Sequence, residues 1–219
     1  MSTDDARRGA LAGDACALAR ALVSIPSVNP DLEPDGAGEE EIAAFCADVL
    51  RSWGLEVTVT HAAPGRPNVV GQLHGVGPTL LLNGHLDTVG VRGMSVDPFA
   101  ADVLDGRLHG RGSCDMKGGV AALMAATHAL LEHPRDRPEL IVALTADEEN
   151  ASLGMASLVE GGVQADLAVV CEPTGLAVMP AHKGFLWLEA TFRGRAAHGS
   201  RPDLGVDAIR HAARYLTSL

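Results

Sequence analysis

Aromatic residues make up only 3% of this 219-residue chain, so any core must be built from leucine, valine, isoleucine and alanine. Cysteine is scarce as well. Cys16, Cys46, Cys114 and Cys171 show no C-x-x-C spacing, which argues against both a disulfide framework and a zinc ribbon. Cys114 and Cys171 read as small buried residues. Positive charge is in deficit: 17 Lys and Arg stand against 28 Asp and Glu, for a formal net charge of −11. With no basic cluster to interrupt that acidity, a phosphate backbone or an anionic membrane is a poor partner. The longest uncharged apolar run, Val120 to Leu131, is too short to span a bilayer. The first twenty residues lack the apolar core of a signal peptide, so a cytoplasmic location is expected. No H-E-x-x-H, G-x-S-x-G or P-loop pattern occurs.

Apolar residues at 47% and charged residues at 21% are ordinary for a globular protein of one or two domains. Helical periodicity runs from about Ala10 to Val23 and stops at Ile25-Pro26. The Pro/Gly-rich stretch from Ser27 to Gly38 reads as a loop, and Glu39 to Trp53 as a second helix closed by Gly54. Leu55 to His61 alternates strictly, as a half-buried strand does, and Asn68 to Leu73 reads as another. Three later runs, Thr79 to Asn83, Glu139 to Thr145 and Asp166 to Cys171, are continuously apolar, as expected of strands covered on both faces. Helical segments at Met116 to His133 and Leu153 to Val159 separate them. That alternation predicts an α/β layered domain with a largely parallel central sheet. After Pro180 the composition shifts. Gly184 to Arg193 alternates as a strand, through Phe185 and Trp187, and Val206 to Leu219 reads as a helix, together the opening of a second domain.

The chemistry-bearing residues follow the buried strands. His85 and Asp87 follow the first, Asp147, Glu148 and Glu149 the second, and Glu172 the third. Sites in open α/β sheets form outside the carboxyl ends of the strands, so one edge receives an imidazole and several carboxylates. Asp115 joins them from the glycine-rich turn Gly110 to Asp115. Taken singly, each has a plainer account: Asp115 as an N-cap, Glu148 and Glu149 as first-turn acids, Glu172 in a turn, and His85 as a core histidine. Taken together, carboxylates gathered at one edge repel one another unless a cation neutralises them. One histidine with carboxylates suits zinc, with manganese or cobalt as alternatives. Asp87, two residues from His85, is placed to orient the imidazole. Adjacent Glu148 and Glu149 divide most economically into one ligand and one general base.

Four motifs in order, GHLDTV (84–89), GRGSCDMKGG (110–119), ADEEN (146–150) and CEPT (171–174), resemble the dinuclear metallopeptidase family of acetylornithine deacetylase, succinyl-diaminopimelate desuccinylase, aminoacylase and glutamate carboxypeptidase. SIPSVNP (24–30) and AAHGSRPDLGVDAI (196–209) agree. The resemblance implies that His85, Asp115 and Glu172 hold one zinc, that Asp115 bridges to a second held by Glu149, that Glu148 is the general base and that Asp87 backs His85. His198 would polarise the scissile carbonyl. By itself His198 is a solvated loop histidine.

The fold implied is a zinc-exopeptidase-like catalytic domain over residues 1–180, incomplete at its C-terminal end, then the start of an α+β lid and dimerisation domain over 181–219. The second zinc's histidine comes in the family from beyond the lid, and no histidine here sits in that motif. One tightly held zinc is therefore expected. The activity implied is hydrolysis of an N-acyl amino acid by a zinc-activated water, with a small acyl amino acid or short peptide as substrate and a homodimer as the full-length form. A desuccinylase or dipeptidase shares every motif, and a truncated, non-catalytic metal-binding or interaction protein is the rival of another class.

Overall fold

The computed structural model describes residues 8–134, 136–184, 186 and 188–219. They form two compact units, one ending at Ala177 and one spanning Val178–Leu219. The first unit carries α1 (Ala15–Ser24), α2 (Glu40–Ser52), β1 (Glu56–Ala63), β2 (Arg66–Leu73), β3 (Thr79–His85), β4 (Asp102–Leu104), β5 (Arg107–His109), α3 (Lys117–Leu130), β6 (Glu139–Thr145), α4 (Leu153–Glu160) and β7 (Leu167–Val170). The expected first helix is broken. A turn at residues 12–14 interrupts it, where Gly13 takes φ +75° and the Asp14 carboxylate accepts from the Ala17 amide to start α1. Glycine leaving a helix and aspartate opening one are opposing signals, and the periodicity ran across both.

Five strands form one sheet in the order β1-β2-β6-β3-β7, and β4 and β5 pair as a separate hairpin. The sheet is mixed: β6, β3 and β7 are mutually parallel, while β1 and β2 add antiparallel pairs on the β6 side. Successive side chains point to opposite faces. The registers Val69↔Leu144↔Gly84 and Gly71↔Val142↔Leu82 therefore put these residues on one face. That face meets α2 and α3 in a continuous apolar core that includes Ile42, Leu50, Val120 and Met124. Gly84 is where α3 comes closest: a Cβ there would stand 2.9 Å from Val120 and 3.0 Å from Met116.

Central β6 is buried beyond its first residue, as its apolar run implied. β7 is not. Leu167, Val169 and Val170 are 64%, 48% and 54% exposed, and among the described residues this strand lies at the sheet's edge, paired with β3. The expectation that all three apolar runs are covered on both faces fails there. The separate expectation that Cys114 and Cys171 are small buried residues fails too: Cys114 is exposed in the turn before α3 and Cys171 is only half-buried; all four cysteines are free. A turn that presents its neighbour Asp115 outward leaves little of itself inside.

The second unit holds a 3-10 turn (Pro202–Leu204) and α5 (Ala208–Leu216), whose N-cap Asp207 accepts from the Arg210 amide. The described residues of 184–193 form no strand, and Phe185 and Trp187 lie outside the described residues. A strand needs a partner ladder, and the described pairing in this unit is one bridge, Arg195 with Val206. Among the described residues no helix is long and apolar enough to cross a membrane.

Candidate metal centre

Parallel pairing decides which chain segments meet. Because His85 is opposite Thr145 and the Leu86 amide donates to the Thr145 carbonyl at 2.8 Å, β3 and β6 end side by side. The turn 146–149 is thereby set next to Asp87. On the other side Asn83 pairs with Val170, and the Cys171 amide donates to Asn83, so Glu172 emerges beside His85. Asp115 enters from the loop before α3. Gly112 there takes φ +79°, and a Cβ on it would press within 2.9 Å of both Lys117 and Thr88. Met116, not Asp115, is the N-cap of α3 and makes no side-chain cap, so the Asp115 carboxylate is not engaged as a helix cap.

The imidazole of His85 is buried and polarised from both ends. Nδ1 lies 2.9 Å from the Asp87 backbone carbonyl and 3.4 Å from its carboxylate. A proton on Nδ1 satisfies that carbonyl and turns the Nε2 lone pair toward the opening. Around Nε2 stand Asp115 Oδ1 at 3.1 Å, Glu172 Oε1 at 3.7 Å and Glu148 Oε2 at 3.8 Å. Two sets of three donors, His85 with Asp115 and Glu149, and His85 with Glu148 and Glu172, each have all ligand atoms within 4.8 Å of one another.

The electrostatics show a site short of positive charge. Burial works to lower the His85 pKa, yet the hydrogen bonds and charges of Asp115, Asp87 and Glu172 outweigh it and push it up to about 11. Glu172 is raised to about 7, by burial and by Asp115, Glu148 and Glu149 around it. Glu149 is raised too, by burial and then by Asp115, whereas the His85 hydrogen bond holds Asp115 low. A site whose carboxylates draw a proton onto His85 and raise the pKa of Glu149 and Glu172 is one whose negative charge a divalent cation would neutralise. Tetrahedral zinc accepts this mixture of nitrogen and oxygen.

Beneath the carboxylates runs a buried polar network. Asp87 is fully buried and accepts the Glu148 amide at 3.0 Å on Oδ1 and the Glu149 amide at 3.1 Å on Oδ2. Its Oδ2 also accepts from Asn29 Nδ2 at 2.7 Å. Although burial opposes it, hydrogen bonds from His85, Asn29 and the Glu148 amide hold the Asp87 pKa low. Asn29 arrives because its segment bridges Val28 to Thr88, the Asn29 amide donating to the Thr88 carbonyl. Arg66, at the start of β2, reaches Asn29, Asp147 and Glu39. Sequence reading passed over Asn29, Glu39, Arg66 and the role of Asp147. A signal existed for Asn29 alone, inside SIPSVNP.

Of the residues expected at the sheet edge, His85, Asp87, Asp115, Glu148, Glu149 and Glu172 come together there, while Asp147 is buried beneath, on Arg66. His198 belongs to the second unit. It is exposed, and its Nδ1 accepts the Ser200 amide at 3.2 Å and lies 2.9 Å from Ser200 Oγ.

Residues 81–218 match peptidase family M20/M25/M40. An acetylornithine deacetylase of Myxococcus xanthus is 41% identical over 141 residues, covering 64% of this chain and 36% of that protein. One of Vibrio cholerae is 32% identical over 191 residues, covering 86% of this chain and 50% of that protein. The chain thus spans half or less of the length of these relatives. A tripeptidase from Staphylococcus aureus shares the fold with a TM-score of 0.65 at 22% identity, over 91% of this chain and 54% of that one. The aminopeptidase PepT of Bacillus cereus does so with a TM-score of 0.63 at 21% identity, over 92% and 55%.

Proposed function

Since the chain belongs to peptidase family M20/M25/M40 through the match of residues 81–218, we propose that it carries the metal centre of a hydrolase that cleaves the amide bond of an N-acyl amino acid. One observation carries the reading. Three parallel strand ends and one glycine-rich turn gather His85, Asp115, Glu148, Glu149 and Glu172 into overlapping donor sets within 4.8 Å. The two relatives named acetylornithine deacetylase favour an acetylated amino acid over a dipeptide.

His85, Asp115 and Glu172 would hold one zinc, and Asp115 with Glu149 would hold a second more weakly, with cobalt or manganese as substitutes. When bound, the metal supplies Lewis-acid polarisation of the acyl carbonyl and lowers the pKa of water. Glu148 is the general base. Its side chain is nearly half exposed at the opening, close to His85 Nε2, while its amide is fixed on Asp87. It takes a proton from water as the new C–O bond forms, then returns it to the departing amine as the C–N bond breaks.

His198 would steady the developing oxyanion. With Nδ1 committed to accepting the Ser200 amide, the neutral ring carries its proton on Nε2 and presents it as a donor. The unit ending at Ala177 is read as the metal-binding part of a catalytic domain, and Val178–Leu219 as the beginning of a lid and dimerisation domain. A cytoplasmic protein that dimerises in its complete form fits this reading, as does a small carboxylate-bearing substrate.

The test is hydrolysis of a panel of N-acetyl and N-succinyl amino acids and dipeptides by the protein as its own reading frame encodes it, with zinc or cobalt added. Hydrolysis of N-acetyl amino acids that a chelator abolishes is expected. A folded, metal-loaded protein that cleaves no member of the panel would rule the reading out.

A further inference from the structure

The buried network beneath the site has a direction, and that direction starts at Arg66. Its side chain is 5% exposed. NH2 lies 2.6 Å from Asp147 Oδ1 and 3.2 Å from Glu39 Oε1, and NH1 lies 3.1 Å from Asn29 Oδ1 and 3.1 Å from Asp31 Oδ2. A guanidinium only donates. The Asn29 amide must therefore turn its oxygen toward Arg66, where it also accepts the Asp31 amide at 3.0 Å. Its NH2 then faces the other way, donating to Asp87 Oδ2 at 2.7 Å and to Asp147 Oδ1 at 3.0 Å. Held from that side, Asp87 has both oxygens aimed at the amides of Glu148 and Glu149.

The same guanidinium grips the other end of that turn. Asp147 adopts φ +63°, an uncommon conformation for a residue with a side chain. Its carboxylate is pinned by Arg66 and Asn29, and its amide donates to Glu39. Two buried carboxylates, Asp87 and Asp147, and the buried carboxyl group of Glu39 thus depend directly or through Asn29 on one cation. Burying them without it would be costly.

We propose that Arg66 is a positioning residue of the metal centre: through Asn29 and Asp147 it sets the orientation of Asp87 and of the 147–149 turn that delivers Glu148 and Glu149. It touches neither metal nor substrate. The proposal rests on the metal-centre reading above, and it assigns that site's geometry to a residue 81 positions away in sequence from Asp147. Lysine cannot replace arginine here, because a single ammonium cannot span Asn29 on one side and Asp147 with Glu39 on the other.

The experiment titrates Co2+ into the 219-residue protein and follows its visible absorption, comparing wild type with Arg66→Lys, Asn29→Ala and the double variant, with His85→Ala as the blank. Partners behind a metal site typically change affinity by about 10- to 100-fold, so each single variant should bind Co2+ at least about tenfold more weakly and with an altered absorption band. The double variant should be no worse than the weaker single one, since one relay is broken twice. Should Arg66→Lys not fold, Arg66→Met with Glu39→Gln and Asp147→Asn removes the two acidic groups that Arg66 NH2 touches together with the cation, and the same loss is expected. Folded Arg66 variants that bind Co2+ with wild-type affinity and spectrum overturn the proposal, as do additive effects in the double variant. If wild type binds no better than His85→Ala, it is the metal-centre reading that fails.

Discussion

The backbone amide of Glu148 donates to Asp87 Oδ1 at 3.0 Å, across 61 residues of chain, and its neighbour Glu149 donates to the other oxygen of the same carboxylate at 3.1 Å. A single buried side chain thereby fixes the turn from which two candidate catalytic groups project. Asp87 does this while its own backbone carbonyl accepts from His85 Nδ1, so the imidazole and the two glutamates are set by one residue. Precision of this kind comes from packing and hydrogen bonding.

Removing that carboxylate should therefore cost stability as well as metal affinity. Asp87→Ala strands the Glu148 and Glu149 amides and leaves Asn29 Nδ2 with Asp147 alone, at about 1–3 kcal/mol for each unsatisfied donor. A melting transition lowered by several degrees, with Zn2+ binding weakened about tenfold or more, is expected in denaturation and equilibrium dialysis. Unchanged stability in Asp87→Ala would show that these donors find other partners.

Metal binding and folding should be linked. At free zinc about 100-fold above its dissociation constant the folded state gains about 2.7 kcal/mol, so zinc should raise the melting temperature and a chelator should reverse the shift. His85→Ala should lose that response. A melting curve indifferent to zinc and chelator alike would count decisively against the site.

Glu148 and Glu149 are separated by one substitution each. In a form of the protein that turns substrate over, Glu148→Gln should retain metal and lower kcat by about 100-fold or more, whereas Glu149→Ala should lose metal from one position. Metal analysis that finds the reverse pattern would exchange their roles.

Glu39 gives a pH signature away from the ligands. Burial raises its pKa from 4.5 to about 7 against the opposing pull of Arg66. Between pH 4.5 and 7 the folded chain binds more protons at Glu39 than the unfolded chain does. Its contribution, roughly 3 kcal/mol at most, is thus fully present below pH 4.5 and lost as pH rises through 7. Glu39→Gln should grow more stable relative to wild type as pH climbs across that window. Parallel curves in urea denaturation from pH 5 to 8 would contradict it.

How much of this was legible beforehand depends on whether the signal was local. The apolar runs at Thr79–Asn83 and Glu139–Thr145 announced buried strands because a strand covered on both faces must be apolar at successive positions. Ligand types at the ends of those runs and of Asp166–Cys171, together with Asp115 in a glycine-rich turn, were enough to name His85, Asp87, Asp115, Glu148, Glu149 and Glu172, which meet at the sheet edge. Their chemistry is written in single side chains and short spacings, which need no knowledge of what lies across the fold.

What only the tertiary structure decided is everything that depends on strand order and on partners far away in the chain. β6 sits between β2 and β3, so Arg66 from the start of one strand reaches Asp147 beyond the end of another, and no periodicity joins residues 66, 29 and 147. The exposure of β7 was equally hidden, because its apolar sequence reads the same whether the strand lies inside a sheet or at its edge. A sequence records which groups a segment carries. Which of them are desolvated, and against what, is set by packing, and desolvation is what makes one arginine at Arg66 the hub of a buried network and leaves Leu167 exposed.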